Sequence, residues 1–263
     1  MLENFGNNLP ELIYYRSNLM KVFVEKDYDA VCRRGADIIE QVVRTKPDAC
    51  IGLATGSSPV GMYKELARRC NEEGLDFSGC CSVNLDEYVG LEPNHPQSYR
   101  FFMDDNLFNH INIKKENTYV AKGVGDPEKN LAEFNARLNE VDIDVQVLGI
   151  GPDGHLGFNE PGTALKENAH MEVLKDSTIE ANKRFFEKKE DVPTTAFTMG
   201  MGNIMKAKKL LMIISGKNKK DVAKQLLLTE DITCANPATF MRLHRDATVI
   251  IDAELAELIG YKA

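Results

Sequence analysis

The strongest constraint on this chain is a rhythm. Short apolar runs alternate with stretches of helical period over nearly its whole length. Strands are expected over residues 20–24, 50–54, 81–85, 118–121 and 145–150, and again over 196–199, 210–215 and 248–251. Helices are expected between them, over 28–44, 59–70, 97–108, 127–141, 219–228 and 237–244. Short buried strands alternating with helices build an α/β fold with a mostly parallel, doubly wound sheet. No repeat, low-complexity tract or linker interrupts the 263 residues, so a single domain over 1–263 is the economical reading. Within it, residues 1–19 read as an N-terminal extension. The charged and irregular stretch 162–192 suits a lid over a site.

Composition narrows the function classes. With 43% hydrophobic and 27% charged residues the chain sits in the ordinary globular range. No apolar run approaches the ~20 residues that a membrane helix needs. The first ten residues lack the basic-then-apolar order of a signal peptide, so a cytoplasmic location is expected. The net charge of −8 disfavours nucleic acid as a partner. It also means that a phosphorylated substrate must find a local cationic pocket. Cys32, Cys50, Cys70, Cys80, Cys81 and Cys234 show no paired metal-site spacing and are expected as reduced thiols.

In doubly wound sheets, ligands bind beyond the carboxyl ends of the strands. Three strand ends carry unusual polar sequences. The first is Thr55-Gly56-Ser57-Ser58-Pro59. Glycine lets a backbone approach an anion closely, a helix N-terminus supplies free N–H groups, and the serines add hydroxyls. With Ser58 at the N-cap and Pro59 at the first helical position, the same residues also make an ordinary strand-to-helix turn, the commoner meaning. The second is Asp86-Glu87-Tyr88 after a buried strand. Adjacent carboxylates on a strand point to opposite faces, so at most one faces a shared pocket. A partly buried carboxylate there suits a carbon-acid base, and helix capping or a surface ion pair is the competing reading at even odds.

The third strand end carries most information: Gly149-Ile150-Gly151-Pro152-Asp153-Gly154-His155-Leu156-Gly157-Phe158-Asn159-Glu160-Pro161. So many glycines and prolines demand a special backbone path, and they hold Asp153, His155 and Glu160 in one neighbourhood. A histidine flanked by carboxylates suits proton transfer to and from a sugar ring oxygen. One histidine without further ligands nearby makes a metal site the weaker reading.

At these residues the sequence resembles the glucosamine-6-phosphate deaminase (glucosamine-6-phosphate isomerase) family. The likeness extends to Leu85-Asp86-Glu87-Tyr88-Val89-Gly90-Leu91, His95-Pro96-Gln97-Ser98-Tyr99, Asn182-Lys183-Arg184-Phe185-Phe186 and the stretch from Ser215 to Lys219. Asp-Gly-His followed by Phe-Asn-Glu-Pro separates this group from 6-phosphogluconolactonases, which share only the first part. The resemblance implies a Rossmann-like fold, no cofactor and no catalytic metal. It implies the conversion of glucosamine-6-phosphate and water to fructose-6-phosphate and ammonia. Asp86 would move a proton between C2 and C1, and His155 would open the ring with Asp153 and Glu160 orienting it. Thr55, Gly56, Ser57 and Ser58 would hold the phosphate together with Arg184 and Lys219.

Two departures bear on regulation. Family members activated by N-acetylglucosamine-6-phosphate carry a basic pair where His170 and Glu172 stand here, and Glu172 would repel a phosphate. Their N-terminus, which takes part in that site between subunits, is also shorter. No activation is therefore expected, and association into a homo-oligomer is left open. The competing readings are a galactosamine-6-phosphate deaminase, a 6-phosphogluconolactonase-like hydrolase, and a non-catalytic sugar-phosphate sensor.

Overall fold

The unbroken apolar runs lie where water does not reach them. In the computed structural model, which describes residues 20–183, 186 and 188–262, the strands in chain order are β1 (Met20–Glu25), β2 (Cys50–Leu53), β3 (Cys81–Asn84), β4 (Asp86–Tyr88), β5 (Thr118–Tyr119), β6 (Ile143–Leu148), β7 (His170–Val173), β8 (Thr195–Thr198), β9 (Leu210–Ile214) and β10 (Ala247–Asp252). The α-helices are α1 (Tyr28–Thr45), α2 (Val60–Glu72), α3 (Tyr99–Met103), α4 (Pro127–Glu140), α5 (Asp176–Asn182), α6 (Met201–Lys206), α7 (Lys220–Leu228) and α8 (Ala253–Ile259). Strands β6, β9 and β10 are buried along their whole length, as a parallel sheet covered on both faces requires.

Seven strands form one sheet in the order β1-β10-β9-β6-β2-β3-β5, and every neighbouring pair is parallel. From β2 the chain winds outward through β3 to β5. It then returns to the other side of β2 as β6 and winds the opposite way through β9 and β10. The crevice of a doubly wound sheet opens where that direction reverses, between the ends of β2 and β6. The loops leaving these two strands are the 55–59 and 149–161 motifs.

Side-chain caps start several helices. Asp27 accepts the Ala30 N–H at 2.8 Å, Asp126 accepts those of Glu128 and Lys129, and Asp252 accepts that of Leu255. Helices α1 and α2 approach closely because Gly35 and Gly61 face the Met62 and Cys32 side chains. Among the described residues no helix is long and apolar enough to cross a membrane.

Several expectations need correction. Residues 196–199 do not join the parallel sheet: β8 is the centre of a second, antiparallel sheet, β4-β8-β7. The stretch 162–192 is less irregular than its charge pattern implied, since it contains β7 and α5. The helix expected over 97–108 is α3 followed by a π turn, Asp104–Phe108. That expected over 237–244 is a 3₁₀ segment, Pro237–Leu243. Helices α6 and α8 were not anticipated.

One buried polar group has no evident structural purpose. Ser82 is 1% exposed, and among the described residues its hydroxyl finds no hydrogen-bond partner in an apolar pocket lined by Ile51, Phe77, Phe108 and Val147. Ser82→Ala is expected to match or exceed the wild type in stability by about 1 kcal/mol, because an unsatisfied buried hydroxyl carries a desolvation cost. A thermal melt showing clear destabilisation would contradict this.

Candidate active site

Asp86 begins β4, separated from the end of β3 by Leu85 alone, and the residue is 6% exposed. Among the described residues its Oδ1 has no hydrogen-bond partner. Burial, reinforced by the charge of neighbouring Glu87, pushes its pKa up to about 8. A buried carboxyl oxygen without a partner is rare in a purely structural setting.

Glu87 does other work on the opposite face of the strand. It accepts the N–H groups of Tyr88, Tyr99 and Arg100 at 2.8, 2.9 and 3.0 Å and thereby caps α3. Burial lifts its pKa to about 7, against the opposing effect of those N–H groups. The two carboxylates thus divide as alternation predicts: one open towards a site, one committed to a helix.

The 149–161 loop is drawn onto Asp86 by β8. Thr198 lies opposite Asp86 in the antiparallel register and accepts the Phe158 N–H at 3.0 Å. Asn159 donates to the Leu156 and Met199 carbonyls. Gly157, at φ +59°, passes so close that a Cβ there would stand 2.8 Å from Thr198 Oγ1 and 3.2 Å from Asp86 Oδ2. The Phe158 ring enters a small aromatic core, 5.6 Å from Tyr88 and stacked parallel to Tyr99. Leu174 completes that core, with Ile179 and Phe186 packed against it, so the loop and the 162–192 stretch share one anchor.

Within the loop, His155 lies over Gly151. A Cβ on Gly151 would fall 2.2 Å from the ring. The backbone closes the turn, with Gly151 donating to the His155 carbonyl and Gly154 to that of Gly151. Asp153 Oδ1 lies 2.7 Å from His155 Nδ1 and accepts the His155 backbone N–H at 3.3 Å. Burial works against the Asp153 charge, but contact with His155 outweighs it and holds the carboxyl at about 2. With Nδ1 facing the Asp153 carboxylate at 2.7 Å, Nε2 is the ring nitrogen available to a ligand.

Glu160 is also buried, and its polar contacts among the described residues are with Thr178 and Lys175. Of the carboxylates expected to orient His155, Asp153 is the one in contact with it.

The 55–58 loop sits at the end of β2 with Thr55 and Ser58 half-buried and Gly56 and Ser57 exposed. Ser58 is not the N-cap of α2. That position falls to Pro59, and the Gly61 N–H that Ser58 would have satisfied goes instead to the Tyr28 hydroxyl. The same hydroxyl donates to the Ser57 and Ser58 carbonyls at 3.0 and 3.1 Å. The Ser58 side chain instead approaches Gly149 of the neighbouring strand end.

Half-buried Lys219 lies beyond β9, on the far side of β6. Its turn is held by Asp252, which accepts the Ser215 hydroxyl at 2.7 Å and the Gly216 N–H at 3.3 Å. Arg184 lies outside the described residues. Three of the anticipated elements therefore converge on adjacent strand ends.

Sequence reasoning missed Thr198, Tyr28, Thr178 and Asp252. None stands in a distinctive local pattern, and each acts across a long separation in the chain. The six cysteines are free, and none lies among the site residues named above.

Residues 25–250 match the family described as glucosamine-6-phosphate isomerases/6-phosphogluconolactonase. A glucosamine-6-phosphate deaminase of Clostridium perfringens is 49% identical over 242 residues, covering 91% of this chain and 100% of that protein. A solved structure described as a monomeric glucosamine-6-phosphate deaminase superposes with a TM-score of 0.88 at 40% identity, covering 91% of this chain and 100% of its own. A 6-phosphogluconolactonase of Thermotoga maritima gives a TM-score of 0.71 at 20% identity, covering 89% and 99%, a likeness of fold alone.

Proposed function

The chain belongs to the family of glucosamine-6-phosphate isomerases and 6-phosphogluconolactonases, and on that premise we infer that it acts as a glucosamine-6-phosphate deaminase. It converts glucosamine-6-phosphate and water to fructose-6-phosphate and ammonia. The observation that carries the assignment of roles is the buried Asp86 carboxyl, whose Oδ1 has no hydrogen bond among the described residues, packed against the loop of Asp153 and His155 at the sheet's switch point. The relatives' names favour the gluco epimer over the galacto epimer, the lactone and the sensor reading.

In this reading His155 Nε2 takes the proton of the C1 hydroxyl and returns it to the ring oxygen. The C1–O5 bond breaks and the C1 aldehyde forms. Asp153 holds the imidazole in place. Ionised Asp86 then removes the C2 proton while the C2 ammonium gives up a proton and O1 takes one up through solvent, leaving an enolamine. Asp86 gives the C2 proton to C1, so that the amine becomes a protonated imine. The C2 imine that remains is hydrolysed by water, releasing ammonia and leaving the ketone. No electron transfer occurs. The phosphate sits on the 55–58 loop, with Lys219 and Arg184 as its cations.

The experiment is direct: ammonia and fructose-6-phosphate are measured from glucosamine-6-phosphate in chelator-treated buffer, with galactosamine-6-phosphate and 6-phosphogluconolactone in parallel. Release from the gluco substrate supports the reading, and silence on it while another substrate turns over removes it.

A regulatory expectation arises from β7. Glu172 Oε2 lies 3.2 Å from His170 Nε2 and 3.4 Å from Lys166 Nζ, so the Lys166 ammonium already faces a carboxylate, while burial lowers the His170 pKa and disfavours a charge on the ring. N-acetylglucosamine-6-phosphate at subsaturating substrate should leave the rate unchanged. A several-fold rise would show that an activator site survives.

A further inference from the structure

The Glu160 carboxylate is held by two residues, Thr178 and Lys175, to which the roles above give no work. Its side chain is 3% exposed. Thr178 Oγ1, on α5 and itself buried, donates to Oε1 at 2.6 Å, and the Lys175 backbone N–H points at the same oxygen from 3.5 Å. The other oxygen, Oε2, makes no hydrogen bond among the described residues and has Lys175 Nζ 3.5 Å away. That ammonium is anchored by donating to the Pro161 carbonyl at 2.5 Å. One oxygen is therefore hydrogen-bonded, and the second is kept buried, without a hydrogen bond among the described residues and next to a positive charge.

A buried carboxylate with one occupied and one open oxygen is a fixed acceptor. An Oε1 anchor of this kind selects one rotamer out of several and prevents the carboxylate from turning to satisfy itself elsewhere. We propose that Thr178, assisted by Lys175, is a positioning residue that sets the Glu160 carboxylate for ring opening, so that docking of the 175–178 turn completes the acid–base group. The proposal rests on the deaminase reading and on Glu160 serving ring opening. The shared aromatic core fits it. Phe158 stands two residues before Glu160, and Ile179 follows Thr178 directly, so the packing that seats the loop also seats the turn.

The test compares Thr178→Val, which keeps the shape and removes the hydroxyl, with Thr178→Ser, which restores the hydroxyl. Loss of a hydroxyl bonded to a carboxylate is expected to lower kcat about ten- to a hundredfold, with KM changed less than about twofold. Thr178→Ser should recover to within about threefold of wild type, since the donor is retained. In a Glu160→Gln background the Val change should cost less than about twofold more, because residues acting through one group are not additive.

Lys175→Met supplies a second probe, expected to lower kcat by a smaller factor. A Val variant with wild-type kcat would overturn the proposal. So would a Ser variant as impaired as Val, or an equal loss in both backgrounds. Failure of the underlying reading shows separately, as absence of ammonia release by the unmodified protein.

Discussion

Replacing Asp86 by Asn should leave a folded protein that releases ammonia about 10²–10⁴-fold more slowly, the usual contribution of a positioned general base. The side chain is buried, the amide matches the carboxyl in size, and among the described residues Oδ1 has no hydrogen bond to lose. The same variant should gain stability in mild alkali. Burial raises the folded-state pKa of Asp86 from its ordinary value of 3.8 to about 8. A group shifted in that direction contributes stability that is complete below the unfolded pKa and lost as pH rises through the folded one.

Wild type should therefore weaken between about pH 4 and pH 8, and Asp86→Asn should weaken less over that range. Activity moves the other way. The base works only when ionised, so kcat/KM should rise as pH increases through about 8. Thermal melts and pH–rate profiles of the two proteins measure both effects. A variant that is inactive but no more stable at pH 8.5 (about half a unit above the Asp86 pKa) would mean that the carboxyl is not held at an energetic cost. A flat wild-type profile would remove Asp86 as the base.

The second large effect is expected at Gly151. An added methyl would fall 2.2 Å from the His155 ring, well inside contact distance, and backbone hydrogen bonds tie the turn on both sides. The imidazole has to move, and with it the 2.7 Å contact between Nδ1 and Asp153. A displacement of about 1 Å in a catalytic group can lower the rate about 10²-fold. Gly151→Ala should lose at least that much kcat while its melting temperature falls only slightly, because the loop lies at the edge of the core. A Gly151→Ala enzyme with wild-type kcat would show that the ring is not positioned there for ring opening.

The parallel sheet was legible because its central strands are buried on both faces, and such strands must be written as continuous apolar runs. Residues 145–150 and 210–215 could be read directly, and so could the helices capped by Asp27 and Asp126. The second sheet was not legible. Strand β4 is only the 86–88 segment, and β7 alternates exposed and half-buried positions among charges. Its hydrophobic signal is weak because one face meets solvent. Membership of β8 in that sheet depends on pairing with β4 and β7, which no local pattern encodes.

The site divides in the same way. Residue types and their spacing along single loops marked Asp86, Asp153, His155 and the 55–58 turn as candidates, because each motif is local. For Asp86 and the 55–58 turn they left capping and ordinary-turn readings open beside the one that the family resemblance implies. Contacts between loops were beyond reach from the chain alone. Thr198 brings the 149–161 loop to Asp86, Tyr28 takes the hydrogen bond that a capping Ser58 would have made, and Thr178 holds Glu160. Local sequence determined which groups are available and which turns present them. Tertiary packing decided which carboxylate is buried with an oxygen left without a hydrogen bond among the described residues, because desolvation and hydrogen-bond partners are supplied by residues distant in the chain.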